Sequence, residues 1–308
     1  MTWTVSENIS TTISMNPSPL KTWLMAIRPK TLPAAFAPVF MGTAMAYGDG
    51  IHHFPTAFLC LLAALLVQIG TNLANDYFDF KKGADTQERL GPVRVTQAGL
   101  IAPNAVLIAA GVTFLLALLV AKPLIERGGT PILIIAIASV LSGILYTAGP
   151  KPLGYIGLGD LFVFIFFGLI ATAATYYVQS FELNPAVILA GIGPGLISAA
   201  ILTVNNLRDI ESDRKSGKRT LAVRFGRDFA RGEYIACVLI ASLVPVFIYL
   251  LIYDHPFILL ACFSSLLAIP GIMDVLSKED GPSLNEALAF TGRLLLAYSI
   301  LFSIGWIL

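Results

Sequence analysis

The chain of 308 residues is 56% hydrophobic and only 13% charged, with a net charge of +1. Soluble domains carry about a quarter charged residues, so this composition excludes an ordinary globular core. We expect one membrane-embedded domain over residues 21–308, preceded by a polar cytoplasmic tail over residues 1–20 that is disordered.

Nine apolar runs are long enough to cross a bilayer, for which a helix needs about 20 apolar residues. The runs are continuously apolar rather than alternating, which favours helices over a β-barrel. The sequence therefore predicts an all-α integral membrane protein with nine transmembrane helices. The predicted spans are 31–48, 55–76, 102–120, 130–148, 160–179, 185–206, 234–253, 256–276 and 288–308.

Lys and Arg residues predict the orientation of these spans. With the N-terminus inside, 17 of them lie in cytoplasmic segments and two, Lys122 and Arg127, lie on the opposite side. The positive-inside rule then places the C-terminus outside. Two long charged connections, 77–101 and 207–233, become cytoplasmic, and long loops in a compact domain are usually functional or disordered. Five basic residues there are interpreted as solvated charges: Lys81, Lys82, Arg224, Arg227 and Arg231.

The second predicted span ends in a cluster of amides and carboxylates. Asn72, Asn75, Asp76 and Asp79 come at its end, and Asp85 follows. If this stretch is helical, Asn72, Asp76 and Asp79 share one face at spacings i, i+4 and i+7.

The sixth predicted span ends in a similar way. Asn205, Asp209 and Asp213 share a helix face at i, i+4 and i+8. The two clusters lie four helices apart and therefore face the same side of the membrane, as in an internal duplication about an axis along the membrane normal.

Carboxylates that repel one another near hydrocarbon are costly, and a divalent cation removes the conflict. Hard oxygen ligands with some water and phosphate oxygens are typical of Mg²⁺. Basic residues interleaved with the acids would bind those phosphates: Arg94, Lys215, Lys218 and Arg219. The pattern predicts a magnesium site for a polyanionic substrate.

The two motifs, Asn75-Asp76-x-x-Asp79 and Asp209-x-x-x-Asp213, resemble those of the UbiA superfamily of intramembrane prenyltransferases, over about residues 22–308. Longer matches resemble the 1,4-dihydroxy-2-naphthoate prenyltransferase branch of that superfamily. They are Arg28-Pro-Lys-Thr-Leu32, Gly83-Ala-Asp85-Thr86, Arg89-Leu-Gly-Pro-Val-Arg-Val-Thr96, Gly154-Tyr-Ile-Gly-Leu-Gly159, Asn205-Asn-Leu-Arg-Asp209 and Gly217-Lys-Arg-Thr-Leu-Ala-Val-Arg224. Where many 4-hydroxybenzoate-type members carry a further Asp, this chain has Gly83, and Asp85 is expected to stand in.

The resemblance implies a bundle around a central cavity in the cell inner membrane, with the active site on the cytoplasmic side. It implies transfer of a prenyl group from polyprenyl diphosphate to 1,4-dihydroxy-2-naphthoate with loss of CO₂. Mg²⁺ would be held by Asp76, Asp79, Asp85, Asp209 and Asp213. Tyr146, near the inner interface, is either an interfacial anchor or a catalytic residue that stabilises a cation or touches substrate. Diphosphate or naphthoate binding is expected from Asn72, Asn75, Asn205, Arg94, Lys215, Lys218, Arg28 and Lys30, and positive-inside anchoring explains Arg28 and Lys30 almost as well.

Two other functions fit parts of the sequence. The same chemistry could act on another aromatic acceptor, such as 4-hydroxybenzoate or homogentisate. A transporter that couples ions to substrate through carboxylates is the second alternative, although transporter sites usually lie near the bilayer midplane. No nucleic acid and no obligate protein partner are expected.

Overall fold

The computed structural model describes residues 17–84 and 90–308, and every regular element in these ranges is helical. The predicted tail lies mostly outside the described residues, although its last two positions, Pro19 and Leu20, already belong to the first helix. Asp85 and Arg89 also lie outside the described residues.

Fifteen α-helices follow one another along the described chain. They are α1 (Pro19–Ile27), α2 (Pro33–Gly48), α3 (Phe54–Lys81), α4 (Pro103–Gly128), α5 (Thr130–Leu145), α6 (Gly159–Phe164), α7 (Ala171–Ser180), α8 (Pro185–Ala190), α9 (Ile192–Arg208), α10 (Ile210–Lys215), α11 (Leu221–Phe225), α12 (Arg227–Ile252), α13 (Ser264–Leu267), α14 (Ile269–Ser277) and α15 (Gly281–Ile307). Two 3₁₀ segments, Pro29–Thr31 and Pro256–Phe263, and the π-helical segment Ile165–Ile170 complete the description.

Seven helical segments of the described chain are long and apolar enough to cross a membrane. They are Phe54–Lys81, Pro103–Gly128, Gly159–Ser180, Pro185–Arg208, Arg227–Ile252, Pro256–Ser277 and Gly281–Ile307. Large apolar side chains such as Ile108, Phe247 and Leu250 are more than half exposed, as expected of a surface that faces lipid. The chain is a multi-pass membrane protein.

The other two predicted spans, 31–48 and 130–148, correspond to α2 and α5, which are 16 residues long. At 1.5 Å per residue such a helix measures about 24 Å, less than the ~30 Å hydrocarbon core. Nine crossings therefore remain a prediction.

The helices come into close contact at the glycine-rich start of α9. A Cβ on Gly195 would lie 2.7 Å from the carbonyl oxygen of Phe164, and one on Gly168 would lie 2.4 Å from that of Gly191. Only glycine lets the backbones of α9 and the π-helical segment approach this closely. This packing holds α9 beside the cavity described next.

The two helices that carry the acidic clusters are each braced by several neighbours. Helix α3 packs against α2, α4 and α5, whereas α9 packs against α12, α15 and α6. Both helices are therefore supported by several neighbours up to the ends that carry the acidic clusters.

Candidate active site at the ends of two acidic helices

A cavity of about 370 Å³ has walls formed by both α3 and α9. One part of the wall is polar and carries residues of both predicted motifs: Asn72, Asn75, Asp79, Asn205, Asp209 and Asp213. The remainder is largely apolar and comes from α3, α4, α5 and the α6–α7 segment: Val67, Leu118, Leu124, Ile135, Phe166 and Val178. The cavity therefore suits a molecule with a charged end and an apolar body.

The three side chains predicted to share one face of α3 are all buried. Asn72 is 4% exposed, Asp76 1% and Asp79 2%. Their partners differ, however. Asn72 donates from Nδ2 to the Ile27 carbonyl oxygen at 2.9 Å and to Thr31 Oγ1 at 2.9 Å, and so ties the end of α1 to α3.

Asp76 binds backbone rather than side chains. Its two carboxylate oxygens accept hydrogen bonds from the amides of Val95, at 3.2 Å, and Thr96, at 3.0 Å. Asp76 does not line the cavity. Its carboxylate holds the connection between α3 and α4 against the end of α3.

Asp79 is the point where several distant segments meet. Arg94 Nη2 lies 3.3 Å from Oδ2, and the Tyr155 hydroxyl donates to Oδ1 at 2.8 Å. Lys218 Nζ lies 3.5 Å from Oδ2. A carboxylate this buried requires such compensation.

The second motif spans a break between two helices. Helix α9 ends at Arg208 and α10 begins at Ile210, yet the amide of Asp209 still bonds the Asn205 carbonyl at 3.1 Å. The amide of Asp213 bonds the Asp209 carbonyl at 2.8 Å. The predicted i, i+4, i+8 spacing is therefore kept, with Asp209 5% and Asp213 7% exposed.

A helix-ending turn brings Lys218 back over the second motif. Gly217 has φ +76°, the amide of Lys218 bonds the Asp213 carbonyl at 2.9 Å, and the Gly217 amide bonds that of Arg214 at 3.2 Å. This pair of bonds with a left-handed glycine is a Schellman motif. Lys218 Nζ thereby lies 3.7 Å from Asp213 Oδ1 as well as 3.5 Å from Asp79 Oδ2, so one ammonium group bridges both motifs.

The loop after α5 completes the polar wall. Lys82 donates to the carbonyl oxygens of Thr147, at 2.6 Å, and Gly149, at 3.1 Å, and Thr147 Oγ1 donates to Asn75 Oδ1 at 2.9 Å. Burial lowers the pKa of Lys82, and Asp79 opposes that shift. This loop begins with Tyr146, which lines the cavity. Lys82 was interpreted from sequence as a solvated charge; it is exposed, and it also fastens this loop to α3.

Three functional candidates were missed by the sequence analysis. Tyr155 contacts Asp79, and its ring lies 4.7 Å from Lys82 Nζ and 4.9 Å from Lys218 Nζ. Arg208 contacts Asp209, and Asn285 contacts Arg208. Tyr155 stands inside the quoted Gly154–Gly159 match, which is the one signal that could have pointed to it.

Not every predicted residue reaches the cavity. Arg28 and Arg94 line it, whereas Lys30 is exposed on the 3₁₀ turn Pro29–Thr31. Lys215 borders a separate space of about 230 Å³ together with Arg208, Glu211 and Arg227.

The donor set of the site fits Mg²⁺, the metal expected from the sequence. Within residues 17–84 and 90–308, no three acidic, histidine or cysteine side chains form a ready ligand cluster. Asp79, Asp209 and Asp213 instead each contact a basic side chain. Lys218 shows that a positive charge is accommodated between Asp79 and Asp213, and their hard oxygens, completed by water, suit Mg²⁺.

The chain is similar to known proteins over most of its length. A model of the UbiA prenyltransferase family matches residues 35–300. The 1,4-dihydroxy-2-naphthoate octaprenyltransferase of Escherichia coli (strain K12) is 39% identical over 293 residues, covering 92% of this chain and 94% of the relative. Its namesake in Haemophilus influenzae is 37% identical over 303 residues, covering 93% and 96%.

A solved structure of a UbiA homolog from Archaeoglobus fulgidus, bound to GPP and Mg²⁺, has a similar fold. The TM-score is 0.64 at 17% identity, with 93% of this chain and 99% of that chain covered. At this identity the likeness supports the fold alone.

Proposed function

We infer the function from one premise: this chain belongs to the UbiA prenyltransferase family. We propose that it transfers a polyprenyl group from polyprenyl diphosphate to 1,4-dihydroxy-2-naphthoate with loss of CO₂, giving demethylmenaquinol for menaquinone or phylloquinone synthesis. The names of the Escherichia coli and Haemophilus influenzae relatives support this acceptor.

The observation that carries the proposal is the convergence of two motifs at one end of a largely apolar cavity. Asp79 and Asp213, which are 134 positions apart in the sequence, both contact Lys218 Nζ. A diphosphate would lie at this charged end, and its apolar chain would follow the wall formed by residues such as Leu124 and Phe166.

Mg²⁺, held by Asp79, Asp209 and Asp213 and by phosphate oxygens, would supply stabilisation of the charge that develops on the leaving diphosphate. Asp76 and Asp85 remain predicted ligands. Lys218 and Arg94 would donate hydrogen bonds to the same phosphate oxygens.

The bond changes proposed for the reaction balance without an added base at the ring carbon. The allylic C1–O bond breaks and diphosphate leaves with the electron pair. The ring carbon that bears the carboxylate then bonds C1. The bond to the carboxylate breaks, its electrons restore the aromatic ring, and CO₂ departs.

The chain's own residues would shape this step. The largely apolar wall excludes water, which would otherwise capture the prenyl cation. Tyr146 lines the cavity and would place its ring beside that cation. Arg28, which also lines the cavity, would bind the naphthoate carboxylate.

We further propose nine membrane crossings in one domain over residues 21–308, in the inner membrane with the N-terminus and site cytoplasmic. The 17-to-2 distribution of Lys and Arg supports the orientation. The 16-residue helices α2 and α5 would complete the nine crossings with flanking residues or local thinning of the bilayer.

The test uses purified protein in lipid vesicles with polyprenyl diphosphates of several chain lengths and Mg²⁺. We expect 1,4-dihydroxy-2-naphthoate to be prenylated with equal release of diphosphate and CO₂, and chelation to stop the reaction. 4-Hydroxybenzoate and homogentisate serve as alternative acceptors. Prenylation of one of them in preference to the naphthoate would overturn the proposed acceptor, and lack of any transfer would overturn the activity.

A further inference from the structure

Arg208 is a buried cation at the end of α9, only 2% exposed. Its Nε donates to Asp209 Oδ1 at 2.8 Å and its Nη2 donates to Oδ2 at 2.5 Å. Such a two-point contact fixes both the position and the rotation of the carboxylate. Nη2 also donates to Asn205 Oδ1 at 2.8 Å, so two residues of the second motif share this guanidinium.

The remaining end of the guanidinium reaches a different helix. Nη1 donates to Asn285 Oδ1, on α15, at 2.6 Å. The other atom of that amide, Nδ2, donates to the Leu90 carbonyl oxygen at 3.0 Å. The side-chain amide of Asn285 therefore links two segments. Its oxygen accepts from Arg208 of the second motif, and its nitrogen donates to Leu90 in the connection between α3 and α4.

Leu90 is held on α15 by close packing as well. A Cβ on Gly281, the first residue of α15, would lie 2.7 Å from Leu90 Cβ and 3.3 Å from its carbonyl oxygen. Glycine is therefore needed for this approach. Hydrogen bond and packing together place Leu90 against the start of α15.

The same connection is bound to the first motif only a few residues later. Arg94 contacts Asp79, and the amides of Val95 and Thr96 bond Asp76. Segment 90–96 is consequently held at one end by the first motif and at the other by Asn285 and Arg208, which hold Asp209.

We propose that Arg208 and Asn285 are positioning residues that set the spacing between the two motifs. They do so through a series of contacts from Asp209 to Arg208, then to Asn285 and then to Leu90, which we call the relay. Neither residue acts on the substrate itself. Their role is to present Asp209 and the Arg94–Asp79 pair to the same Mg²⁺–diphosphate group. This inference rests on the proposed function.

Three variants separate the two halves of this relay. Asn285→Asp keeps an acceptor for Arg208 but loses the donor to Leu90. Asn285→Leu loses both contacts. Arg208→Lys keeps the charge but loses the two-point contact with Asp209. Glu286→Gln and Arg214→Lys are matched controls, because both residues are exposed and lie outside the relay.

Hydrogen exchange of the metal-free protein in nanodiscs gives a readout independent of activity. Asn285→Asp should speed exchange in a peptide covering 90–96 by about threefold to tenfold, the loss expected of one hydrogen bond. Peptides from α2 should not change. Equal exchange in Asn285→Asp and Glu286→Gln would overturn the relay.

Kinetics then tests the effect on the site. Arg208→Lys and Asn285→Leu should each raise the half-saturating Mg²⁺ concentration and the KM for the prenyl diphosphate by about tenfold. The KM for the naphthoate should stay within twofold, a split that general loss of packing would not produce. Values matching those of Arg214→Lys would overturn the positioning role. A wild-type protein without transferase activity would instead count against the proposed function, and the exchange measurement would still judge the relay.

Discussion

The two acidic motifs look alike in sequence, but different parts of the molecule hold them. Asp76 and Asp79 depend on partners elsewhere in the chain, such as Val95, Arg94 and Tyr155. Asp209 is held by Arg208, its own neighbour. The first motif is therefore positioned by residues from other parts of the bundle. In the second motif the adjacent Arg208 supplies the positive charge, and Asn285 on α15 orients that guanidinium.

Carboxylates that look equivalent in the sequence therefore have different partners in the structure. Asp79 and Asp213 share the ammonium of Lys218 beside the cavity, while Asp76 binds the backbone amides of Val95 and Thr96. A carboxylate that already satisfies two amides stabilises a loop even before any metal is bound.

We expect the largest loss of prenyl transfer when one carboxylate of either motif is replaced, which tests whether one motif can work without the other. Asp79→Asn and Asp209→Asn should each reduce prenyl transfer by about 10³-fold, because each removes a carboxylate that would hold the Mg²⁺ that stabilises the charge developing on the diphosphate. Transfer is measured in vesicles, with Asp228→Asn as control, since the Asp228 side chain is 99% exposed. If either variant kept a tenth of the wild-type rate, the motifs would not form one site.

Lys218→Met removes the link between the motifs. We expect about a 10²-fold loss of transfer and a raised KM for the prenyl diphosphate, because the ammonium between Asp79 and Asp213 is lost. Lys278→Met, an exposed lysine, is the control. A higher Mg²⁺ concentration should restore part of the activity. An unchanged KM would argue that Lys218 only pairs the acids.

Asp76→Ala should act mainly on stability. Two buried amides would lose their acceptor, and the free energy of unfolding should fall by about 2 kcal/mol or more. Thermal unfolding in detergent measures this loss, and Asp228→Ala is the matched exposed control. A normal melting temperature with absent transfer would show that Asp76 serves the metal rather than the loop.

The smallest effect is expected from Tyr155→Phe. The variant loses the hydrogen bond to Asp79 but keeps the ring between Lys82 and Lys218. We expect about a tenfold loss in kcat/KM, in line with one hydrogen bond to a charged group. Tyr155→Leu, which also removes the ring, should lose more. Equal losses in the two variants would assign the effect to the hydroxyl alone and leave no role for the ring.

The sequence by itself determined the features that are local along the chain. Apolar runs marked the seven segments that are long enough to span a membrane within the described part of the chain. The i, i+4, i+7 spacing put Asn72, Asp76 and Asp79 on one buried face of α3. Both follow from neighbouring residues and helix geometry alone. The resemblance of the two acidic motifs to those of the UbiA superfamily also predicted the family to which the chain belongs.

Only the tertiary structure decided which side chains support those carboxylates. Tyr155 meets Asp79 across 76 positions, Arg208 meets Asn285 across 77, and Asn285 meets Leu90 across 195. No periodic pattern relates residues this far apart, because their contacts depend on how whole helices pack. Lys82 and Lys30 are both exposed, yet Lys82 bonds the loop after α5 and Lys30 does not line the cavity, a difference that helix packing decides.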